Sequence, residues 1–389
     1  MTQFYSPRSG GVKRYLHEKI SYVQEHSSAD EHVLIVPGAR TERTTAGRSR
    51  VYTVASPLVS RSTGYRALLD LRAVDEIIAR ERPDLIESAD PYQLGWAAAE
   101  ISRRRRIPAV AFYHSDFADA YLRPRAERLG TRIADAVMNV AERYVRELYN
   151  RFEATFAPSE ELAGKLRDWG VHDVRAVELG VNTNVFKPVV AAENAIRINH
   201  SIPSDAKLLM YAGRLAPEKN TATLFDAFEL LSKRRPRAFH LLVVGDGQQR
   251  EHVQQLQAST SAVTWLPYCA DPAELAELYR SADLFIHPGT QETFGLVALE
   301  SQACGTPVVG IRGSAMDRIV RHEQGAWAQE NSAEALANAV EQSFTCDLQA
   351  MGASAAIAVA AQYAWSRVFD HLFCVYREVC ANYRSRAAT

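Results

Sequence analysis

The chain has 389 residues, which is more than one ordinary hydrophobic core organises and suits two α/β domains. Hydrophobic residues make up 47% and charged residues 23%, the composition of a soluble globular protein. The formal net charge of -1 provides no overall field that would select nucleic acid, so we expect no nucleic-acid partner. Apolar runs such as Leu241–Val244 are too short to span a membrane, and Met1–Gly10 lacks the apolar core of a signal peptide, which predicts a cytoplasmic location.

Short apolar runs alternate with amphipathic segments in the first half of the chain. The segments Tyr65–Arg80 and Arg132–Arg151 predict helices. Only Met1–Phe4 is available for a strand before the first turn, so this edge strand should be very short. The apolar runs predict buried strands at His32–Val36, Leu85–Glu87, Ala109–Tyr113, Ala154–Ala157 and Arg175–Glu178.

The second half repeats this alternation more regularly. The repeated alternation of strand and helix predicts doubly wound parallel sheets, which bind ligands at the carboxyl ends of their strands. The predicted strands are Lys207–Ala212, His240–Val244, Val263–Leu266, Leu284–His287 and Pro307–Gly310. The predicted helices are Thr221–Lys233, Gln248–Gln257, Pro272–Arg280, Leu296–Ala303 and Ala333–Phe344.

A boundary between two domains is expected after Lys187, where Pro188 and Pro203 flank the polar stretch Ala191–Ser201. Residues 1–187 would form one domain and residues 188–362 the other. The segment 363–389 predicts a long helix with an apolar face that must dock somewhere. It could cap the second domain, but packing back onto the first domain fits a two-lobed enzyme with a cleft, and we expect the latter.

A glycine pair marks the turn before the first helix, in the segment Ser6–Val12. Gly10 and Gly11 allow the backbone to approach a ligand closely, and the helix that should begin near Lys13 presents an N-terminus that attracts anions. An ordinary structural turn is the alternative interpretation.

Two cations follow the strand Lys207–Ala212. The chain turns at Gly213, and Arg214 and Lys219 precede the helix predicted near Thr221. Cations beside a helix N-terminus suit a diphosphate, whose charge must be neutralised from more than one direction. The segment Gly245–Gly247 resembles a dinucleotide fingerprint only in part, because Arg250 stands at the third glycine position, so a nicotinamide site is rejected.

The most informative segment is His287–Glu300, which follows an apolar strand and leads into a helix. Glu292 lies in the loop and Glu300 about two helical turns further on. A carboxylate accepts hydrogen bonds from two hydroxyls, which suits a sugar or a ribose diol. Free backbone amides at the helix start could bind phosphate, and they belong to Phe294, Gly295, Leu296 and Val297.

These motifs, in this order, resemble the GT-4 retaining glycosyltransferases of GT-B fold. The two glutamates separated by seven residues, Glu292 and Glu300, are similar to that family's signature. Gly213-Arg214-Leu215 with Glu218-Lys219-Asn220 resembles its diphosphate clamp. Similar segments occur at Gly10-Gly11-Val12, Gly180-Val181-Asn182, Gly245-Asp246-Gly247 and Ala303–Val309. The implied fold is α/β, with two Rossmann-like doubly wound parallel-sheet domains facing a cleft.

The resemblance also implies roles for individual residues. Arg214 and Lys219 would hold the donor diphosphate, helped by Gly11 and the amides of residues 294–297. Glu292 would contact hydroxyls of the donor sugar, and Glu300 the ribose. The remaining candidates are His114 against the transferred sugar, Asp116 on the acceptor side and Tyr268 near the base, where Pro267 replaces a frequent glycine.

The implied reaction is transfer of a hexose, mannose or glucose, from UDP- or GDP-hexose to a lipid or glycan acceptor. The acceptor would attack the face that the diphosphate leaves, and the diphosphate would take its proton. No Asp-x-Asp sequence occurs and the five cysteines show no metal spacing, so we expect no metal and no cofactor beyond the nucleotide sugar. A nucleotide-sugar 2-epimerase and a non-catalytic nucleotide-sugar binder are the alternatives.

A run of four arginines, Arg103–Arg106, lies in the first half of the chain. Clustered cations could contact anionic lipid headgroups, which would place the protein peripherally on the inner face of a membrane. A solvated helix end is the other interpretation of this run.

Overall fold

The computed structural model describes residues 1–5, 10–59, 64–189 and 195–388. The chain forms two compact units, Met1–Leu179 with Trp365–Thr389, and Gly180–Ala364. The division therefore falls before the expected boundary after Lys187. Residues 180–187 belong to the second unit because the Val181 N–H donates to the Tyr363 carbonyl at 2.7 Å and the Phe186 ring packs 6.2 Å from that of Tyr279.

The strands of the first unit are β1 (His32–Gly38), β2 (Glu42–Ala46), β3 (Ser49–Ala55), β4 (Ile86–Ser88), β5 (Ala109–Phe112), β6 (Ala154–Ala157) and β7 (Val174–Ala176). They form two hydrogen-bonded sheets with the orders β1-β3-β2 and β4-β5-β6-β7. All pairs are parallel except the hairpin of β2 and β3. The first residues join the two sheets, since the Thr2 N–H donates to Ile35 and the Met1 carbonyl accepts from Ala89.

Helices pack against these strands through apolar faces. The strongly amphipathic α5 buries Met138, Val145 and Leu148 and leaves its opposite side to solvent. The helices are α1 (Gly11–His26), α2 (Leu71–Glu81), α3 (Gln93–Arg105), α4 (Arg123–Glu127), α5 (Thr131–Tyr149) and α6 (Glu160–Asp168), with a π-helical turn at Ala118–Leu122.

The second unit is built on one parallel sheet, whose strands in chain order are β8 (Lys207–Ala212), β9 (Phe239–Val244), β10 (Val263–Leu266), β11 (Leu284–His287) and β12 (Val308–Gly310). Their spatial order is β10-β9-β8-β11-β12. The chain winds outward from β8 in one direction and then from β11 in the other. The gap between the loops that follow β8 and β11 is therefore the topological switch point, where such sheets bind ligands.

The helices of the second unit include one where a polar linker was expected. Residues 195–199 form a short helix, and the first four residues of the expected linker, 191–194, lie outside the described residues. The helices are α7 (Ala195–Asn199), α8 (Thr221–Arg234), α9 (Arg250–Thr260), α10 (Pro272–Ser281), α11 (Leu296–Ala303), α12 (Met316–Ile319), α13 (Ala333–Ser343) and α14 (Leu348–Tyr363), with a 3-10 turn at Pro217–Lys219.

The last helix, α15 (Trp365–Ala388), belongs to the first unit. It starts after Ala364, whose extended backbone ends α14. Its Tyr376 hydroxyl donates to Glu87, a carboxylate that also accepts two contacts of 2.9 Å from the Lys19 ammonium. This cluster is buried, and it fastens the helix to α1 and β4.

No single helix in the described ranges is long and apolar enough to cross a membrane. Helices α13 and α14 reach that length and composition only as a pair, and they meet at an angle of 97°.

Candidate functional site

Two loops meet at the switch point of the second unit. Asn220 follows β8, and its side-chain amide donates to the carbonyl of Pro288, which follows β11, at 2.9 Å. Asn220 itself adopts a left-handed conformation with φ 56° directly before α8. The loops that carry the predicted clamp and the predicted glutamate are thus tied together at the carboxyl edge of the sheet.

Lys219, Glu292 and His287 form the centre of this site. The Lys219 ammonium lies 2.6 Å from Glu292 Oε2, and His287 Nε2 lies 3.7 Å from the same oxygen. The exposed fractions of the Lys219, Glu292 and His287 side chains are 26%, 14% and 5%. Burial alone would raise the pKa of Glu292, but the charges and hydrogen bonds of Lys219 and His287 outweigh it and hold the pKa well below its ordinary value. Glu292 is therefore an ionised acceptor held in one orientation.

Arg214 occupies the outer side of the same loop. Its guanidinium lies 3.2 Å from Glu218, and its side chain is half exposed. The Tyr211 hydroxyl donates to the Arg214 carbonyl at 3.0 Å, which fixes the backbone of the turn. The two predicted cations thus differ: Lys219 points at Glu292, whereas Arg214 stands at the rim.

The glycines after β9 serve the packing of two loops. Gly245 has φ +141°, and a Cβ built on it would lie 1.8 Å from the Gly213 carbonyl oxygen. The Gly213 N–H in turn donates to the Val244 carbonyl at 2.9 Å. The close packing of the two loops therefore requires glycine at position 245. This requirement explains the glycine without a dinucleotide site, which the sequence analysis also rejected.

The start of α11 brings its first amides to the end of β11. Gly295 precedes the helix with φ +94°, and any Cβ there would lie 2.0 Å from the terminal methyl of Met316. Phe294 is buried, with its ring 6.1 Å from that of Tyr363. The first N–H groups of a helix have no intrahelical partner, so those of Leu296 and Val297 can bind an anion.

Glu300 is buried inside the second unit, with only 1% of its surface exposed. Its Oε2 accepts from the Tyr279 hydroxyl at 3.3 Å. Glu300 is therefore not a solvated surface residue, because α11 turns this side chain towards α10. Its contact with a ribose stays a prediction.

His114 follows β5 in the first unit. Its ring stacks on that of Phe112 at a centroid distance of 4.0 Å, and the Tyr15 ring is packed edge-to-face against it at a centroid distance of 5.0 Å. Within the described residues its buried Nε2 has no hydrogen-bond partner. Burial lowers the pKa of His114 to about 3, so the imidazole is neutral and keeps one ring nitrogen for a ligand.

The other predicted residues occupy simpler environments. Asp116 is bound by the Lys165 ammonium, which also binds Asp119. Tyr268 lies in the loop after β10 and is 54% exposed. Gly10 and Gly11 stand at the start of α1, while residues 6–9 of their turn lie outside the described residues.

The arginine run ends helix α3 and is mostly paired with acids. Arg103 contacts Glu100 at 2.7 Å, and Arg104 and Arg105 both contact Asp75, at 2.7 and 2.6 Å. This arrangement supports the helix-end interpretation, since cations at a helix C-terminus also interact favourably with its dipole.

His287 and Asn220 were not assigned a role from the sequence. A signal existed for His287, because it ends a strand and precedes the loop that carries Glu292. Asn220 could be placed only once β8 and β11 were known to be neighbours. Over the ranges that the structure describes, no group of three or more His, Cys, Asp or Glu side chains could hold a metal ion.

Known families match both halves of the chain. Residues 9–185 match the family described as Glycosyltransferase Family 4, and residues 192–356 match Glycosyl transferases group 1. Both matches agree with the resemblance found in the sequence motifs.

Relatives and solved structures agree with these families. The GDP-mannose-dependent alpha-mannosyltransferase of Corynebacterium glutamicum is 33% identical over 82% of this chain and 73% of its own length. The GDP-mannose-dependent alpha-(1-6)-phosphatidylinositol dimannoside mannosyltransferase of Mycobacterium tuberculosis is 31% identical over 87% of this chain and 85% of its own. Sucrose-phosphate synthase from Thermosynechococcus elongatus superimposes with a TM-score of 0.74 at 20% identity, covering 96% of this chain and 94% of that one. The predicted class, GT-B with two Rossmann-like domains, is confirmed.

Proposed function

Because the chain belongs to the family 4 and group 1 glycosyltransferases, we propose that it transfers a hexose from a nucleotide diphosphate sugar to a lipid or glycan acceptor with retention of configuration. The observation that carries this proposal is the partly buried Lys219–Glu292 pair, 2.6 Å apart, at the switch point of the second sheet. A cation for a diphosphate and an acceptor for sugar hydroxyls stand side by side there. The matched relatives are transferases by name, so the 2-epimerase alternative is not favoured.

The residues proposed to bind the nucleotide sugar differ in charge, and each group contacts a different part of the donor. Lys219, Arg214 and the first amides of α11 bind the diphosphate from different directions. Glu292 accepts hydrogen bonds from hexose hydroxyls, and Glu300 binds the ribose. Tyr268, the exposed aromatic residue after β10, contacts the base.

Transfer breaks the bond between the anomeric carbon and the phosphate oxygen. The acceptor hydroxyl attacks from the same face, its oxygen bonds to the anomeric carbon, and its proton passes to the departing phosphate oxygen. Negative charge grows on the diphosphate as that bond breaks, so Lys219 and Arg214 stabilise the transition state more than the ground state. His114, which is neutral, hydrogen-bonds the transferred sugar through Nε2 and has no need to exchange a proton.

GDP-mannose is the first donor to test, because the two relatives described above depend on it by name. The experiment is a donor screen in which slow hydrolysis of GDP-, UDP- and ADP-hexoses is measured without acceptor. Release of free hexose and nucleoside diphosphate from GDP-mannose supports the proposal. Release of an epimerised sugar nucleotide would favour the epimerase, and binding without turnover would favour the binder.

We place the reaction at the cytoplasmic face of a membrane when the acceptor is a lipid. The Mycobacterium tuberculosis relative acts, by its name, on a phosphatidylinositol dimannoside. A lipid acceptor keeps its acyl chains in the bilayer and presents its hydroxyls at the aqueous surface, so the transfer takes place there.

A further inference from the structure

One helix of the first unit exposes apolar and cationic side chains together. On α5, Ile133 and Val140 are 45% and 70% exposed, and Leu129, in the turn before the helix, is 71% exposed. Exposed large apolar side chains that lie on one surface indicate an interaction site for a membrane or another molecule. We call Leu129, Ile133 and Val140, with the arginines described next, the α5 outer face.

Three arginines border these apolar residues. Arg128 precedes the helix beside Leu129, and Arg132 and Arg143 lie on α5 about three turns apart, on the same side as Val140. All three are exposed. The acids Asp135 and Glu142 lie towards the other edge of the exposed side, and Glu142 is bound to Arg146 at 3.5 Å. Glu147 lies on the same side as Val140, two turns further along the helix, and its charge is paired with Arg151 at 3.7 Å.

These arginines differ from the run at the end of α3. Among the described residues, no carboxylate lies within ion-pair distance of Arg128, Arg132 or Arg143. Arg103, Arg104 and Arg105 are instead paired with Glu100 and Asp75. A paired arginine has its charge already balanced, whereas an unpaired one retains its full attraction for an external anion.

We propose that the α5 outer face docks the protein on a bilayer with anionic headgroups. A bilayer surface offers phosphates above and acyl chains below, and it binds helices that present cations beside apolar side chains. Arg128, Arg132 and Arg143 contact the phosphates, while Leu129, Ile133 and Val140 enter the headgroup boundary. The proposal rests on the proposed function only in that a lipid acceptor gives such docking a purpose.

The test measures binding to vesicles without donor or acceptor. Wild-type protein should bind vesicles of phosphatidylcholine and phosphatidylglycerol in equal parts, more weakly as salt rises, and bind pure phosphatidylcholine poorly. The triple variant Arg128→Ser, Arg132→Ser, Arg143→Ser should bind the anionic vesicles roughly a hundredfold more weakly. The matched control, Arg103→Ser, Arg104→Ser, Arg105→Ser, removes the same charge from the same unit and should bind nearly as wild type does.

A second variant separates insertion from charge. Leu129→Ser with Val140→Ser should weaken binding several-fold and leave its salt dependence in place, because these side chains carry no charge. Both positions are exposed, so circular dichroism should show unchanged folding. Donor hydrolysis in solution should be unaltered in every variant.

Three outcomes would overturn the proposal. One is equal loss of binding in the two triple variants, and another is wild-type binding that ignores headgroup charge. The third is a change of oligomeric state in the Leu129→Ser, Val140→Ser variant with vesicle binding intact, which would make this face a contact between copies of the chain. Failure of wild-type donor hydrolysis would instead refute the proposed function and leave the vesicle result standing.

Discussion

The Lys219–Glu292 contact ties two residues with different assignments into one unit. Their charges face each other at 2.6 Å in a largely buried place, so changing one alters the state of the other. Lys219 without Glu292 becomes a stronger anion binder, and Glu292 without Lys219 becomes a buried, poorly compensated carboxylate. Kinetic effects of the two single variants should therefore not add up in the double variant.

Glu292→Gln should lower kcat by about ten- to a hundredfold, because a charged hydrogen bond near the reacting carbon is lost. Glu300→Gln should mainly raise the donor KM, since the ribose does not change during transfer. Steady-state kinetics of both variants, with folding checked by circular dichroism, measures the effects on kcat and on KM separately. A wild-type kcat in Glu292→Gln would show that another residue binds the hexose.

The buried imidazole of His114 predicts a pH dependence of stability. Its pKa is lowered to about 3 in the folded protein from 6.5, so the unfolded chain binds more protons between these values. The contribution of His114 to the free energy of unfolding should therefore be fully present above pH 6.5 and be lost as the pH drops towards about 3. His114→Gln removes this contribution, and urea unfolding at several pH values should show a shallower decline than in wild type. Parallel declines would contradict a buried, neutral histidine.

At the scale of elements, α15 depends on a buried ion pair. Lys19 is 3% exposed and Glu87 13%, and the pKa of Glu87 is lowered to about 2: burial opposes ionisation, and Lys19, with the Tyr376 hydroxyl, overcomes it. Lys19→Met leaves this carboxylate buried without its cation. Removing one partner of a buried pair costs about 3–5 kcal/mol, which urea unfolding measures.

The matched control for Lys19→Met is Arg384→Ala. Arg384 also joins α15 to the first unit, through Asp84 at 2.6 Å, but both side chains are largely exposed. An exposed pair contributes little, so this variant should unfold almost as wild type does. If the two variants lost equal stability, burial would not be what makes the Lys19 contact important.

The same difference between buried and exposed elements explains what the sequence could predict. The strands β8 and β11 agree with their predicted bounds, because a strand buried in a parallel sheet is a nearly continuous apolar run. The strand β2 was missed since all five of its residues are exposed and four of them are polar. The helix α14 was missed because its apolar residues, mostly alanines, lie on all sides and give no period.

The contacts of the candidate site could not be predicted from the sequence, because they join elements that are distant along the chain. Lys219 and Glu292 were predicted as site residues from motifs in their own loops, but their contact depends on β8 and β11 being neighbours, which local patterns do not encode. The pairing of Arg104 and Arg105 with Asp75 joins two separate helices. No local pattern could distinguish these arginines from the unpaired ones near α5.

The activity of the protein should not require a metal ion. The diphosphate clamp assigned to Lys219 and Arg214 supplies positive charge from side chains, so activity should persist in saturating chelator. Donor hydrolysis and transfer measured with and without chelator should agree within error. Complete loss of activity that manganese or magnesium restores would show that the cations of the chain are not sufficient.

The return of α15 to the first unit makes the second unit an insertion. The chain leaves the first unit after Leu179 and re-enters it at Trp365. These two crossings run side by side, because Val181 and Ala364 form a parallel bridge. Residues 180–364 thus form a closed loop of sequence whose ends already touch. Evolution could exchange this inserted unit, or extend it, without changing the path of the chain in the domain that contains it.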